Sequence, residues 1–125
     1  MKGEIGMRRL LWAAILAPVL IAVSGCRSNL VDSTIINRTG SAVQLIEVDY
    51  PDASFGVDVL PADGVYHYRF QITGTGPLKM DFTANGNHEV HATGPNLSEH
   101  EQGRLEIVLL PEGKVEFHPQ LTPAP

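Results

Sequence analysis

The five histidines are the residues of this chain best suited to chemistry, because neutral imidazole ligates metals and titrates near physiological pH. His88-Glu89-Val90-His91 has the composition of a zinc-protease motif. That motif needs two histidines four apart on one helical face, with a glutamate base between them. Here the spacing is three, in a segment patterned as a strand, and residues three apart on a strand point to opposite faces. A metal site would have to form across strands, from His67 with His88 or His91; the plainer reading is solvated histidines on a polar face. His100, between Glu99 and Glu101, and His118, near the C-terminus, read as exposed. Asp49, Asp52 and Asp58 supply the hard oxygens calcium prefers, but their spacing matches no calcium loop and reads as acidic surface.

Nucleophilic catalysis asks for a Ser, Thr or Cys beside a base, with an oxyanion hole in reach. The chain has no GxSxG-like elbow, and the GTGP of residues 74–77 is explained as a turn. We therefore expect a protein that is not an enzyme. Tyr66, Tyr68 and Phe70 recur at strand spacing, which suits core packing better than a stacking platform. Tyr50 and Phe55, on either side of Pro51, are the better candidates for an exposed binding contact. Asn37-Arg38-Thr39 and Asn96-Leu97-Ser98 match a glycosylation sequon by chance.

The elements that must carry these residues are strands. Beyond residue 30 the apolar residues recur with period two, and Gly, Pro and Asn interrupt them at short intervals. The pattern predicts strands over Asp32–Asn37, Ala42–Tyr50, Ser54–Val59, Val65–Thr73, Leu78–Ala84, Asn87–Thr93, Arg104–Leu110 and Val115–His118. Tyr66, Tyr68, Phe70 and Ile72 share one face of the fourth, and His67, Arg69 and Gln71 the other. Asn85-Gly86 is a favourable type I′ pair and predicts a hairpin. Gly94–Gly103 reads as a longer loop, and residues 119–125 as a flexible, Pro-containing tail. Seven or eight short strands with turns every 8–12 residues describe an all-β antiparallel sandwich. In strand number and spacing it resembles immunoglobulin and fibronectin-III-like domains, without the cysteine pair and core tryptophan of true immunoglobulin domains.

The first residues obey a different logic. Lys2, Arg8 and Arg9 precede a charge-free run, Leu10–Val23 (LLWAAILAPVLIAV). Its length is below the roughly 17–25 residues of a bilayer span and suits the apolar region of an export signal. Val23-Ser24-Gly25-Cys26 follows, and this resembles the lipobox of bacterial lipoprotein precursors. The resemblance implies a signal peptide over residues 1–25, cleavage between Gly25 and Cys26, and acyl chains such as palmitate on Cys26. The strand pattern then leaves a short tether over residues 26–31 and a β-sandwich domain over 32–118. The phrase from Ile46 to Phe70, IEVDYPDASFGVDVLPADGVYHYRF, is similar to phrases in small uncharacterised bacterial lipoproteins, which brings no activity with it.

From Cys26 onward the chain holds 6 Lys/Arg against 13 Asp/Glu, a net charge near −7. An acidic domain without a basic patch repels phosphate backbones, so nucleic acid is excluded as a natural partner. With one cysteine, no internal disulfide can form, and the fold relies on packing. The expectation is a non-enzymatic binding or assembly module in the cell envelope, with an envelope protein as partner and no cofactor beyond the covalent lipid. It would be anchored in the cell membrane or outer membrane and face the periplasm or exterior, with sheet edges and the segments Pro51–Ser54 and Gly94–Gly103 as contact surfaces. The alternative is a metal or small-ligand binding protein using the surface His or Asp residues.

Overall fold

A computed structural model describes residues 29–123; the signal, Cys26 and the last two residues lie outside them. Alternating side chains build eight strands: β1 (Val31–Asn37), β2 (Val43–Tyr50), β3 (Ala53–Leu60), β4 (Val65–Phe70), β5 (Gly76–Ala84), β6 (His88–Leu97), β7 (Gln102–Leu110) and β8 (Lys114–Thr122). A short 3₁₀ turn, Pro111–Gly113, joins the last two. The strands form two four-stranded sheets, ordered β4-β1-β7-β8 and β3-β2-β5-β6. The fold is thus an all-β sandwich, as the periodicity predicts.

One pairing departs from the antiparallel expectation. β1 runs parallel to β7, Val31 opposite Gly103 and Asn37 opposite Leu109, while β4 pairs antiparallel on its other side. Local turn signals announce hairpins only, so a parallel pair closed by strands far apart in sequence leaves no mark on either segment.

The core lies between the sheets. Ile35, Ile46, Ile72, Leu78, Met80, Leu97, Leu105, Ile107 and Leu109 are its largest fully buried apolar side chains. Asn85 (φ 50°) and Gly86 (φ 85°) both take positive φ, as a type I′ hairpin requires. Pro51 with Asp52 (φ 74°) fits positions i+1 and i+2 of a type II turn.

Strand ends differ from the sequence reading in several places, and β5 starts at Gly76, so Gly76 and Pro77 of the expected 74–77 turn pair with Leu97 and Asn96 instead. Val31, assigned to the tether, is fully buried and paired on both sides, so the domain begins there. β4 stops at Phe70, yet Ile72 beyond it stays buried, and its carbonyl accepts the His100 N–H at 3.0 Å. β6 continues through Gly94-Pro95-Asn96-Leu97, shrinking the expected loop to Ser98–Glu101. β8 runs to Thr122 through Pro119, pairing with β7 where a tail was expected. Both proline segments look like strand breakers, but a proline on an edge strand leaves its missing N–H on the side that has no partner.

The two flanks of the sandwich are built differently. On one, edges β6 and β8 come together, and Phe117 lies so close to Gly94 that a Cβ there would meet its ring at 2.9 Å. On the other, edges β3 and β4 are bridged by aromatic rings. Phe55 stacks on Tyr68 at 4.2 Å between centroids, and Tyr50 on Phe70 at 4.1 Å.

The first strand starts at the same end of the sandwich where β8 stops. That end carries the Pro51–Asp52 turn, residues 71–75 and Ser98–Glu101; the opposite end carries the other four connections. The opposite end is organised by Asn37, which is fully buried. Its Nδ2 donates to the carbonyls of Ser41 (2.8 Å), Leu60 (3.0 Å) and Pro61 (3.0 Å). Its Oδ1 accepts the backbone N–H (3.0 Å) and hydroxyl (2.7 Å) of Thr39. A side chain so enclosed cannot accept a glycan.

Candidate functional site

The register of the first sheet puts polar residues in rows across its outer face. Arg69, Asp32, Arg104 and Gln120 form one row, and His67, Thr34, Glu106 and His118 the next. β1 and β7 make the floor, and the long side chains of β4 and β8 make the walls, of an open groove of about 980 Å³. Arg69 Nε donates to Asp32 Oδ1 at 2.7 Å, and the Thr34 hydroxyl meets His67 Nδ1 at 3.1 Å. His118 Nε2 lies 3.1 Å from Glu116. One step further along the strands the row is apolar on three of the four strands: Val65, half exposed at 51%, Ile36, and Val108, which faces outward by alternation yet is only 7% exposed, with Glu116 completing it on β8.

The charged groups on this face can recognise an anion. Two guanidiniums flank one carboxylate, and planar guanidinium recognises carboxylate or phosphate in a bidentate fork. Thr34 and His67 are the one hydroxyl–imidazole pair on this face among the described residues. Thr34 stands on the interior strand β1 and His67 on the edge strand β4.

The histidines named from sequence are not brought together. His67 belongs to the groove of the first sheet and His91 to the outer face of the second. His88 lines a smaller cleft of about 380 Å³ at the end opposite the N-terminal strand start, with Thr39, Phe82 and Leu110. His67 and His118 share a row but stand three strands apart, about 14 Å at the usual strand spacing. No group of three or more His, Cys, Asp or Glu side chains able to hold a metal occurs among the described residues. Asp49 lies on β2 and Asp58 on β3, while Asp52 accepts the Thr73 hydroxyl at 3.3 Å in its turn.

Tyr50 and Phe55 are not the exposed pair that their place beside Pro51 suggested. Phe55 is buried at 7% exposure, and Tyr50 is half-buried against Phe70. Both rings fill the gap between β3 and β4, because β2 and β3 turn their alternate side chains inward right up to the Pro51 turn. Burial, and then the neighbouring Tyr68, push the Tyr50 phenol above its ordinary value.

On the second sheet's outer face, Glu47, Asp81 and His91 share a row, with Asp49 alongside. The Asp49 side chain, through a hydrogen bond and its charge, raises the Glu47 carboxyl above the usual carboxylate range. The Asp81 carboxylate, hydrogen-bonded to His91 Nδ1 at 2.6 Å, holds the imidazole above its ordinary 6.5, and Glu89 adds to this. Because the folded value is raised, the pair favours the fold below pH 6.5 and loses that contribution as pH climbs through the elevated midpoint. NMR titration should place the His91 midpoint above 6.5, and Asp81→Asn should bring it back down; an unchanged midpoint would remove the pair.

Sequence reasoning missed Asp32, Arg104, Glu106 and Gln120 as groove residues. Strand alternation marks each as outward, but only the β1–β7 register places them beside His67 and Arg69. No helix among the described residues is long and apolar enough to cross a membrane.

Searches for relatives leave the sequence without a match: no protein-family description and no curated protein is similar enough to count. Among solved structures, the chain resembles an NMR structure of a protein from Eubacterium rectale, at 16% identity and a TM-score of 0.54. The likeness covers 77% of this chain and 95% of that one, and it extends to the fold alone.

Proposed function

We propose that this chain is a lipid-anchored, non-enzymatic binding or assembly module of a bacterial cell envelope. The observation that carries the reading is the polar groove on the β4-β1-β7-β8 face, a concave surface lined by Arg69, Arg104, Asp32, Glu106, His67 and His118. The lipobox-like Val23-Ser24-Gly25-Cys26 supports the anchor. Two or three acyl chains hold a protein durably where one does so only marginally.

In this arrangement the groove stands on the side of an anchored domain and stays open to solutes and partners. Pro51–Ser54 and Ser98–Glu101 share the end where the chain enters β1, so they turn toward the membrane. Their carboxylates, Asp52, Glu99 and Glu101, are repelled by anionic lipid and keep that end from settling on the surface. The partner-facing end is then the one organised by Asn37.

Metabolic labelling with an alkynyl fatty acid tests the anchor. The wild-type chain should carry label and sediment with membranes, while Cys26→Ser should lose the label and keep Leu10–Val23. An unlabelled wild-type chain would end the lipoprotein reading.

A further inference from the structure

The sandwich guards its two flanks unequally. An exposed sheet edge is a row of unpaired N–H and C=O groups, and proteins blunt such rows with proline, charge or irregularity. Edges β6 and β8 carry Pro95 and Pro119, and their flank is closed by Phe117 against Gly94. Edges β3 and β4 contain no proline. β3 is irregular: its inward residues are Phe55, Val57 and Leu60, and Asp58, within the break, is left out of the ladder. β4 pairs with β1 over six consecutive residues without a shift. It has no acidic residue, in a domain with 13 of them.

We propose that β4 accepts an extended strand of a partner protein, which continues the sheet as partner-β4-β1-β7-β8. This deepens the proposed binding role and rests on it. Main-chain hydrogen bonds would supply affinity and alternate side chains specificity. On the inner side the added strand meets Tyr66 and Tyr68, half-buried in the stack with Phe55, which calls for apolar or aromatic residues. On the groove side it meets Val65, His67 and Arg69, which calls for an apolar residue near Val65 and a carboxylate near Arg69. The ligand is therefore a strand of alternating apolar and acidic-to-polar residues.

A second copy of the chain fits less well. A two-fold axis that continues the sheet through β4 sets the two strands antiparallel, which puts the two β1 starts at opposite ends of the sandwich. The five residues from Cys26 to Val31 reach at most about 18 Å. The sandwich is about 23 Å tall, from seven residues of β1 at 3.3 Å each. With the strands upright on the membrane, as the proposed anchoring sets them, two such copies could not both reach it.

The test uses the full-length, membrane-held protein in its own cells, with a photo-crosslinking residue at position 65, 67 or 69 on β4. Further probes stand at 118 on β8 and at 86 on the far end. The expected result is one partner segment captured from all three β4 positions, its attachment point moving by two residues at each step. Arg69→Glu should lower that yield roughly five-fold. His67→Pro should abolish it, with an unchanged circular dichroism spectrum confirming the fold. Adducts to a second copy, adducts without the two-residue stepping, or adducts from 118 or 86 alone would overturn the β4 assignment while leaving a binding module. No adduct from any position would overturn both readings.

Discussion

Asn37→Ala is expected to cost the fold about 3–4 kcal/mol, since each buried group left without its partner costs about 1–3 kcal/mol. Three carbonyls and a Thr39 N–H and hydroxyl bond to this one amide, although the Pro61 carbonyl also accepts the Gly64 N–H and the Ser41 carbonyl the Thr39 hydroxyl. Partly exposed Pro61 and Thr39 can turn to water, but Leu60 is buried and cannot. A domain of this length holds only about 5–14 kcal/mol in total. Urea unfolding should show the midpoint falling sharply with an unchanged slope. Asn37→Asp is the sharper variant: it keeps the shape and the acceptor and removes the donor to the same three carbonyls. A loss below about 1 kcal/mol in both would mean that the network is replaceable by water.

Gly103→Ala should rank next, at about 2–4 kcal/mol from backbone strain and steric overlap together. Gly103 takes φ 135°, a region side chains rarely adopt, and a Cβ would run into the backbone carbonyl of Gln120 on β8. The same residue donates its N–H to the Leu30 carbonyl at 3.2 Å, so strain here disturbs the point where the chain enters the domain. Gly86→Ala is the control. It also has positive φ, 85°, but nothing lies within 4 Å of its added Cβ, so only about 1–2 kcal/mol of left-handed strain applies. Thermal melts in which the two variants fall together would show that the Gln120 carbonyl yields.

Much of the fold is legible from period two. Tyr66, Tyr68 and Phe70 face the core and His67 and Arg69 the solvent, as alternation requires, and Asn85-Gly86 makes the turn its chemistry demands. What fails to show is what depends on distant partners. Gly94-Pro95 reads as a loop because the signal for proline as a breaker is local, whereas its tolerance on an edge is set by which side of β6 has a neighbour. Phe55 reads as exposed because its place beside a turn is visible and Tyr68, its stacking partner, is not. Asn37 reads as the end of a strand; its five hydrogen bonds reach residues up to 24 positions away. The groove needs a register that only the assembled sheet supplies.

The parallel pairing of β1 with β7 carries a kinetic consequence. Val31 and Gly103 are 72 residues apart in the chain, and the entropy of closing so wide a loop must be met before the central ladder repays it. The first sheet cannot acquire its middle until nearly the whole polypeptide is available. Folding should accordingly run on the millisecond-to-second scale of non-local β proteins. In the export we propose for this chain, such delayed collapse would keep it threadable through a membrane and commit it to structure only after the last strands had emerged.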